Sequence, residues 1–217
     1  MVRRWLLVAG ILAPVVYAAA VIVGAAATPG YSHFGNTISE LVAVGAPHKA
    51  IVDPILMASC VLGFVYGLDL SSTWRRIAPS LRPAAVGVAA IGLVGFAILW
   101  FPVDGRPLPR PLPEHIHIAL TGLLLLLMAA TLFLFARGTR AVPGWSGLSR
   151  YAAATLVVVV AAGVLTAIGE PNNWPALGLI ERLAIGPYLV WMAVAAVATL
   201  RGELRGRCWD QLQPLRG

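Results

Sequence analysis

Charge is scarce in this chain of 217 residues: only 12% are Asp, Glu, Lys or Arg, against about 25% in an ordinary soluble domain. That deficit, with 59% hydrophobic residues, excludes a surface that faces water on all sides and makes lipid the main solvent. Cysteine is nearly absent too. The two present, Cys60 inside an apolar stretch and Cys208 in a basic tail, make no disulfide framework. Strictly alternating apolar segments are missing, which excludes a membrane β-barrel. No Lys/Arg run is interleaved with stacking aromatics, so the net charge of +7 does not imply nucleic acid as a partner. No stretch is long enough for a soluble domain or a linker, and no internal repeat stands out.

What the chain does have is six apolar segments, at roughly 5–27, 50–70, 84–101, 115–136, 150–168 and 179–200. Each approaches the ~20 residues that cross ~30 Å of hydrocarbon as a helix. Helix is expected because a lipid-exposed strand leaves backbone groups unpaired. The first segment follows Arg3 and Arg4 like a signal peptide but exceeds the ~7–15 apolar residues of one, so it reads as a span. The expected fold is all-α: one integral membrane domain over residues 1–217, a six-transmembrane-helix bundle.

The basic residues orient it. Arg3, Arg4, Arg75, Arg76, Arg82, Arg137, Arg140, Arg150, Arg201, Arg205, Arg207 and Arg216 fall on one side; Lys49, Arg106, Arg110 and Arg182 fall on the other. Positive residues accumulate in the cytoplasm, so both termini are expected to be cytoplasmic in a multi-pass cell-membrane protein. All four histidines, His33, His48, His115 and His117, then lie outside, with Glu40, Asp53, Asp104, Glu114, Glu170 and Glu181. The inner loops read as plain topogenic loops. The outer connections hold the chemically capable groups.

Four short motifs sit there. In the stretch Tyr31 to Leu41, Ser39 is a candidate nucleophile or hydrogen-bond donor and Glu40 a candidate base. The same residues read more simply as a capped turn, with Asn36 or Thr37 as cap and Glu40 closing the box. The piece Ile38 to Val44 is expected to lie on the outer surface. Phe101-Pro102-Val103-Asp104-Gly105 ends span three, where Asp104 is a candidate metal ligand or the acid of an Asp-Gly turn. Pro113-Glu114-His115-Ile116-His117 opens span four. Residues two apart on a helix point about 200° apart, so His115 and His117 cannot both face the bundle centre. Glu114, His117 and Thr121 can share a face, which makes His117 the inward one. A lone His-x-His lacks the spacing of a dedicated zinc motif and also suits two interfacial histidines. Finally, Glu181 and Arg182 lie about a turn inside span six, near Glu170. Ionisable groups there pair or face a cavity, so Arg182, with Glu181 and Glu170, is either an anion clamp or part of a structural ion pair with Glu170, Asp104 or Glu40 as its carboxylate.

Three features read as architecture. Ser59, Gly63 and Gly67 recur every fourth residue, as at a close helix contact. Trp5, Tyr31, Trp74, Trp100 and Trp174 read as interfacial belt residues. Asp53-Pro54 reads as the cap and first residue of span two.

Ile38-Ser39-Glu40-Leu41 before Gly45-Ala46-Pro47, Phe101-Pro102 with Asp104, and the histidine pair at the head of span four resemble the DUF998 family of bacterial and archaeal membrane proteins, over about residues 5–200. The resemblance implies a six-helix integral membrane protein and brings no activity with it. Members of that family often space the two histidines by about a helical turn; here the spacing is two. A looser likeness is to alkaline ceramidases and adiponectin receptors, which gather Ser, Asp and His around zinc at one membrane face. This chain has six expected spans where those have seven, and no His-x-x-x-His in the last.

The leading functional expectation is an outer-leaflet polar site for a lipid or small molecule, with metal-assisted hydrolysis as its chemistry. Zinc would be the cofactor; His117, Asp104 and His115 its ligands; Glu40 or Glu114 the base; Ser39 a substrate contact; and Arg182 the anchor for an anionic lipid. The alternative is a non-catalytic accessory subunit in a larger membrane complex, with partner membrane subunits. Haem ligation ranks lower because no facing helix offers a second imidazole. Transport ranks lowest, because no span is broken mid-membrane.

Overall fold

Backbone groups in an apolar segment must be satisfied within the segment, and each of the six segments is a helix. The computed structural model describes residues 4–104, 111–142 and 144–201. Its helices are α1 (Arg4–Ala27), α2 (Lys49–Ile77), α3 (Arg82–Ile98), α4 (Leu112–Thr139), α5 (Ser146–Gly169) and α6 (Leu177–Leu200), with short 3-10 turns at Ser39–Val42 and Pro79–Leu81. All six are long and apolar enough to cross a membrane.

Hydropathy ends α2 too early. It loses the helix at the polar run around Ser71, but the backbone ladder needs no apolar side chains and continues to Ile77, two residues before Pro79. Trp74 therefore lies in α2, fully buried against Phe135, and is not a belt residue. At the other end, α2 begins at Lys49, so Asp53 is inside the helix and not its cap. Its carboxylate accepts from the Lys49 ammonium at 2.7 Å, one turn back, as side chains four apart on a helix can.

Each helix packs on its neighbours in sequence, and α6 packs on α1, which closes a ring. The α1–α2, α3–α4 and α5–α6 connections meet at one end: Val44 N–H donates to the Val103 carbonyl at 2.8 Å, and Gly178 N–H to the Gly35 carbonyl at 3.2 Å. The histidines sit at this end, called the histidine end below. The α2–α3 and α4–α5 connections meet at the opposite, arginine end, where the Ser80 hydroxyl donates to the Gly138 carbonyl. Close helix contact needs small residues. At Gly67 a Cβ would run into the backbone of Ala89, which is where α2 and α3 touch.

The ring is filled unevenly. Towards the arginine end Tyr66, Leu70, Trp74, Phe135, Trp145, Tyr188 and Trp191 are almost wholly buried and pack as one cluster. Towards the histidine end the facing positions are Ala13, Gly63, Gly92 and Gly95, and a cavity remains between them. The outer wall carries exposed aliphatics such as Ile22, Leu126 and Val157, as a lipid-facing surface does.

Candidate functional site

The first N–H groups of a helix have no partner in the helix. At α6 the long α1–α2 connection supplies two. Gly178 N–H bonds the Gly35 carbonyl, and Leu179 N–H bonds the Phe34 carbonyl at 2.9 Å. This approach requires glycine at position 178, where a Cβ would meet the Asn36 carbonyl. The two charged residues of the next turn complete the clamp. Arg182 donates to the Asn36 carbonyl at 2.9 Å, to the Gly178 carbonyl at 2.8 Å and to the Tyr31 hydroxyl at 2.7 Å. The Tyr31 hydroxyl in turn donates to the Thr37 carbonyl at 2.7 Å. Burial pushes the Tyr31 phenol above its ordinary pKa, against the pull of the adjacent guanidinium, so it stays protonated and can donate. Glu181 accepts the Ile38 N–H at 2.6 Å. Three neutral oxygens hold Arg182 in these bonds, where the sequence led to the expectation of a carboxylate.

Between these anchors the chain makes a tight turn. The Glu40 carboxylate reaches back to the Thr37 N–H at 2.9 Å, the Thr37 hydroxyl at 3.1 Å and the Asn36 amide at 2.6 Å. That is one half of a capping box. It keeps Glu40 exposed, on the turn's outer side. The turn does not lie flat on the surface: Ile38, Leu41 and Val42 are buried in a cluster with Val21, Val52, Leu56 and Leu99 from α1, α2 and the end of α3.

Ser39 is thereby pointed at α4. Its Oγ is 3.2 Å from Nε2 of His117. The other ring nitrogen, Nδ1, is 2.8 Å from the Phe101 carbonyl. A carbonyl can only accept, so Nδ1 carries the proton, and the neutral ring presents a lone pair at Nε2 to the Ser39 hydroxyl. His117 is buried, one turn above Thr121 on the same helix face.

Below the pair lies a cavity of about 100 Å³, lined by Ser39, His117, Thr121 and Glu181 together with apolar residues. It shares Tyr17, Cys60, Gly95, Leu124 and Ile185 with a second space of about 80 Å³ that extends towards Val88, Met128 and Met192. From His117 to Met128, α4 rises about 16 Å, roughly half of a ~30 Å hydrocarbon layer.

The sequence model of one family, the proteins of unknown function DUF998, matches residues 11–198. The chain belongs to this family. No curated protein and no solved structure matches it.

Within this DUF998 chain the residues singled out from the sequence fall into separate groups. Ser39, His117 and Glu181 share the cavity. Arg182 faces the loop clamp. His115 is exposed, with Nδ1 against the Pro111 carbonyl at 3.2 Å. Glu114 is buried and accepts the Asp104 N–H at 3.3 Å, tying the α3–α4 connection to the head of α4. Glu170 ends α5, its N–H bonded to the Thr166 carbonyl. Among the described residues no three His, Cys, Asp or Glu side chains gather to hold a metal. The donor set does not fit zinc: His115 points away from His117, and both nitrogens of His117 are engaged within the protein. Gly105, Arg106 and Arg110 lie outside the described residues.

Sequence reasoning missed the Phe101 carbonyl, which sets the histidine tautomer, and Tyr31, which holds Arg182. Backbone groups leave no signature in side-chain chemistry. It also read Gly63 as a packing contact, whereas a Cβ there would meet nothing within 4 Å because the position opens on the cavity.

Proposed function

We propose that this DUF998 protein binds an amphiphile of lipid type, head group at Ser39, His117 and Glu181 and tail in the apolar depth of the ring. The observation that carries this is the lining of the two neighbouring cavities, which share five residues. Ser39, His117, Thr121 and Glu181 line the histidine end, and beyond Leu124 the walls are mostly apolar, Val88, Ile91, Met128, Leu189 and Met192, with Tyr188 and Ser59 the polar exceptions and the Ser59 hydroxyl spent on the Ala13 carbonyl. Ligand sites are mostly apolar with a few convergent polar groups, and a polar-to-apolar gradient along one axis suits a molecule with a head and a chain. We further propose that the histidine end faces the outer leaflet, because twelve of the 16 Lys and Arg residues belong to the opposite side. A metal is no part of this reading.

The test is lipid extraction from protein purified in mild detergent, with native mass spectrometry. The wild type should retain a chain-bearing amphiphile. Gly63→Leu, whose Cβ would meet no atom within 4 Å and whose side chain would take up cavity space, should lose it. Equal retention by both proteins, or none by the wild type, overturns the proposal.

A further inference from the structure

We infer that Ser39 is a nucleophile and His117 its general base, and that the protein transfers the acyl group of an ester-bearing amphiphile to water. This rests on the amphiphile reading above and adds a reaction to it. A serine nucleophile needs an imidazole nitrogen with a free lone pair at hydrogen-bond distance and a third group that fixes the ring. The geometry supplies each. Nε2 of His117 is 3.2 Å from the Ser39 Oγ, and the Phe101 carbonyl holds the proton on Nδ1. A backbone carbonyl takes the orienting place that a carboxylate holds in the familiar serine triads.

Nothing local in the chain requires this pairing. Ser39 reaches His117 because Glu181 and Arg182 hold the residues just before it, and Glu40 holds the turn. Glu181 is a positioning residue here, acting through the Ile38 N–H and through a side-chain hydrogen bond to Ser39 itself. The cavity that accepts the chain begins at the same Ser39 and His117 side chains, so an ester carbonyl at the head of a bound amphiphile meets the hydroxyl.

In the reaction, Ser39 Oγ adds to the ester carbonyl carbon while its proton passes to Nε2 of His117. The adduct collapses with cleavage of the ester C–O bond, and the departing alcohol takes that proton. Water then gives a proton to Nε2 and attacks the acyl-serine. The fatty acid leaves, and Ser39 recovers its proton. No oxidant or reductant enters.

Two alkyl fluorophosphonates test this, one with a long chain and one with an ethyl chain, each reacting by forming a Ser–O–P bond with loss of fluoride. The detergent-purified full chain is labelled and the site mapped by peptide mass spectrometry, so the result does not depend on a variant's folding. The expected result is modification of Ser39 by both probes, with labelling by the long one slowed in Gly63→Leu. His117→Gln should slow labelling roughly 100-fold or more, the usual contribution of a general base. If the wild type retains its amphiphile yet neither probe modifies Ser39, the nucleophile is overturned and the binding reading stands. If only the ethyl probe reacts and no amphiphile is retained, the reverse holds: Ser39 is a nucleophile for a water-soluble ester. If neither lipid nor label is found, both fall.

Discussion

Glu181 Oε2 and the Ile38 N–H lie 2.6 Å apart, joined across 143 positions of sequence. Through that bond an acidic residue in the last helix sets where Ser39, the next residue after Ile38, is held. Glu181 and Arg182 are adjacent in sequence and divide the work: one holds the loop by an N–H, the other by a carbonyl and a phenol.

Glu181→Ala should leave the half-buried loop N–H without its acceptor and lower stability by about 1–3 kcal/mol. Glu181→Gln keeps an acceptor oxygen and should lose less. Thermal unfolding in detergent compares the two, and an alanine variant as stable as the glutamine one would contradict the assignment.

Arg182 should be the more sensitive partner. Its fork reaches three oxygens at fixed angles, which a lysine cannot reproduce. Arg182→Ala is expected to cost about 3 kcal/mol, in the upper range for hydrogen bonds to a charged group, and Arg182→Lys to recover only part of it. Tyr31→Phe should cost about 1 kcal/mol. His117→Ala should be milder than Arg182→Ala in melting temperature; the opposite order would mean the clamp is not what holds the loop.

Gly178→Ala tests the clamp from the backbone side. The added methyl meets the Asn36 carbonyl, which has no room to move while Arg182 holds it. Loss of melting temperature is expected even though alanine favours helix by about 1 kcal/mol. A stabilised variant would show that the loop does not approach α6 this closely.

The aromatic plug predicts a different kind of loss. Phe135 contacts Trp74, Trp145 and Trp191, so Phe135→Ala should destabilise by about 3–5 kcal/mol and change tryptophan emission. Retention of both stability and the wild-type spectrum would contradict the packing.

Orientation is checked by cysteine accessibility in intact cells, with the two native cysteines replaced. Ser32→Cys, exposed at the histidine end, should react with an impermeant maleimide. Ser146→Cys, at the start of α5, should react only after the membrane is opened. The reverse pattern would invert the proposed topology.

The sequence by itself determined six helices and the residues at each end of them, because hydrophobic length and the need to satisfy backbone groups in lipid leave little choice. It also placed His117 rather than His115 inward, since helical geometry turns residues two apart to opposite sides. The Glu40 turn was legible for the same local reason. The far end of α2 was not, because a helix can run on through polar residues where it still has packing. Only the tertiary structure decided that Ser39 meets His117, that Glu181 holds Ile38, and that Gly63 faces a space while Gly67 faces a helix. Those relations join residues far apart in sequence. They depend on how six cylinders close into a ring and which side chains fill its centre, and neither leaves a periodic trace in the chain.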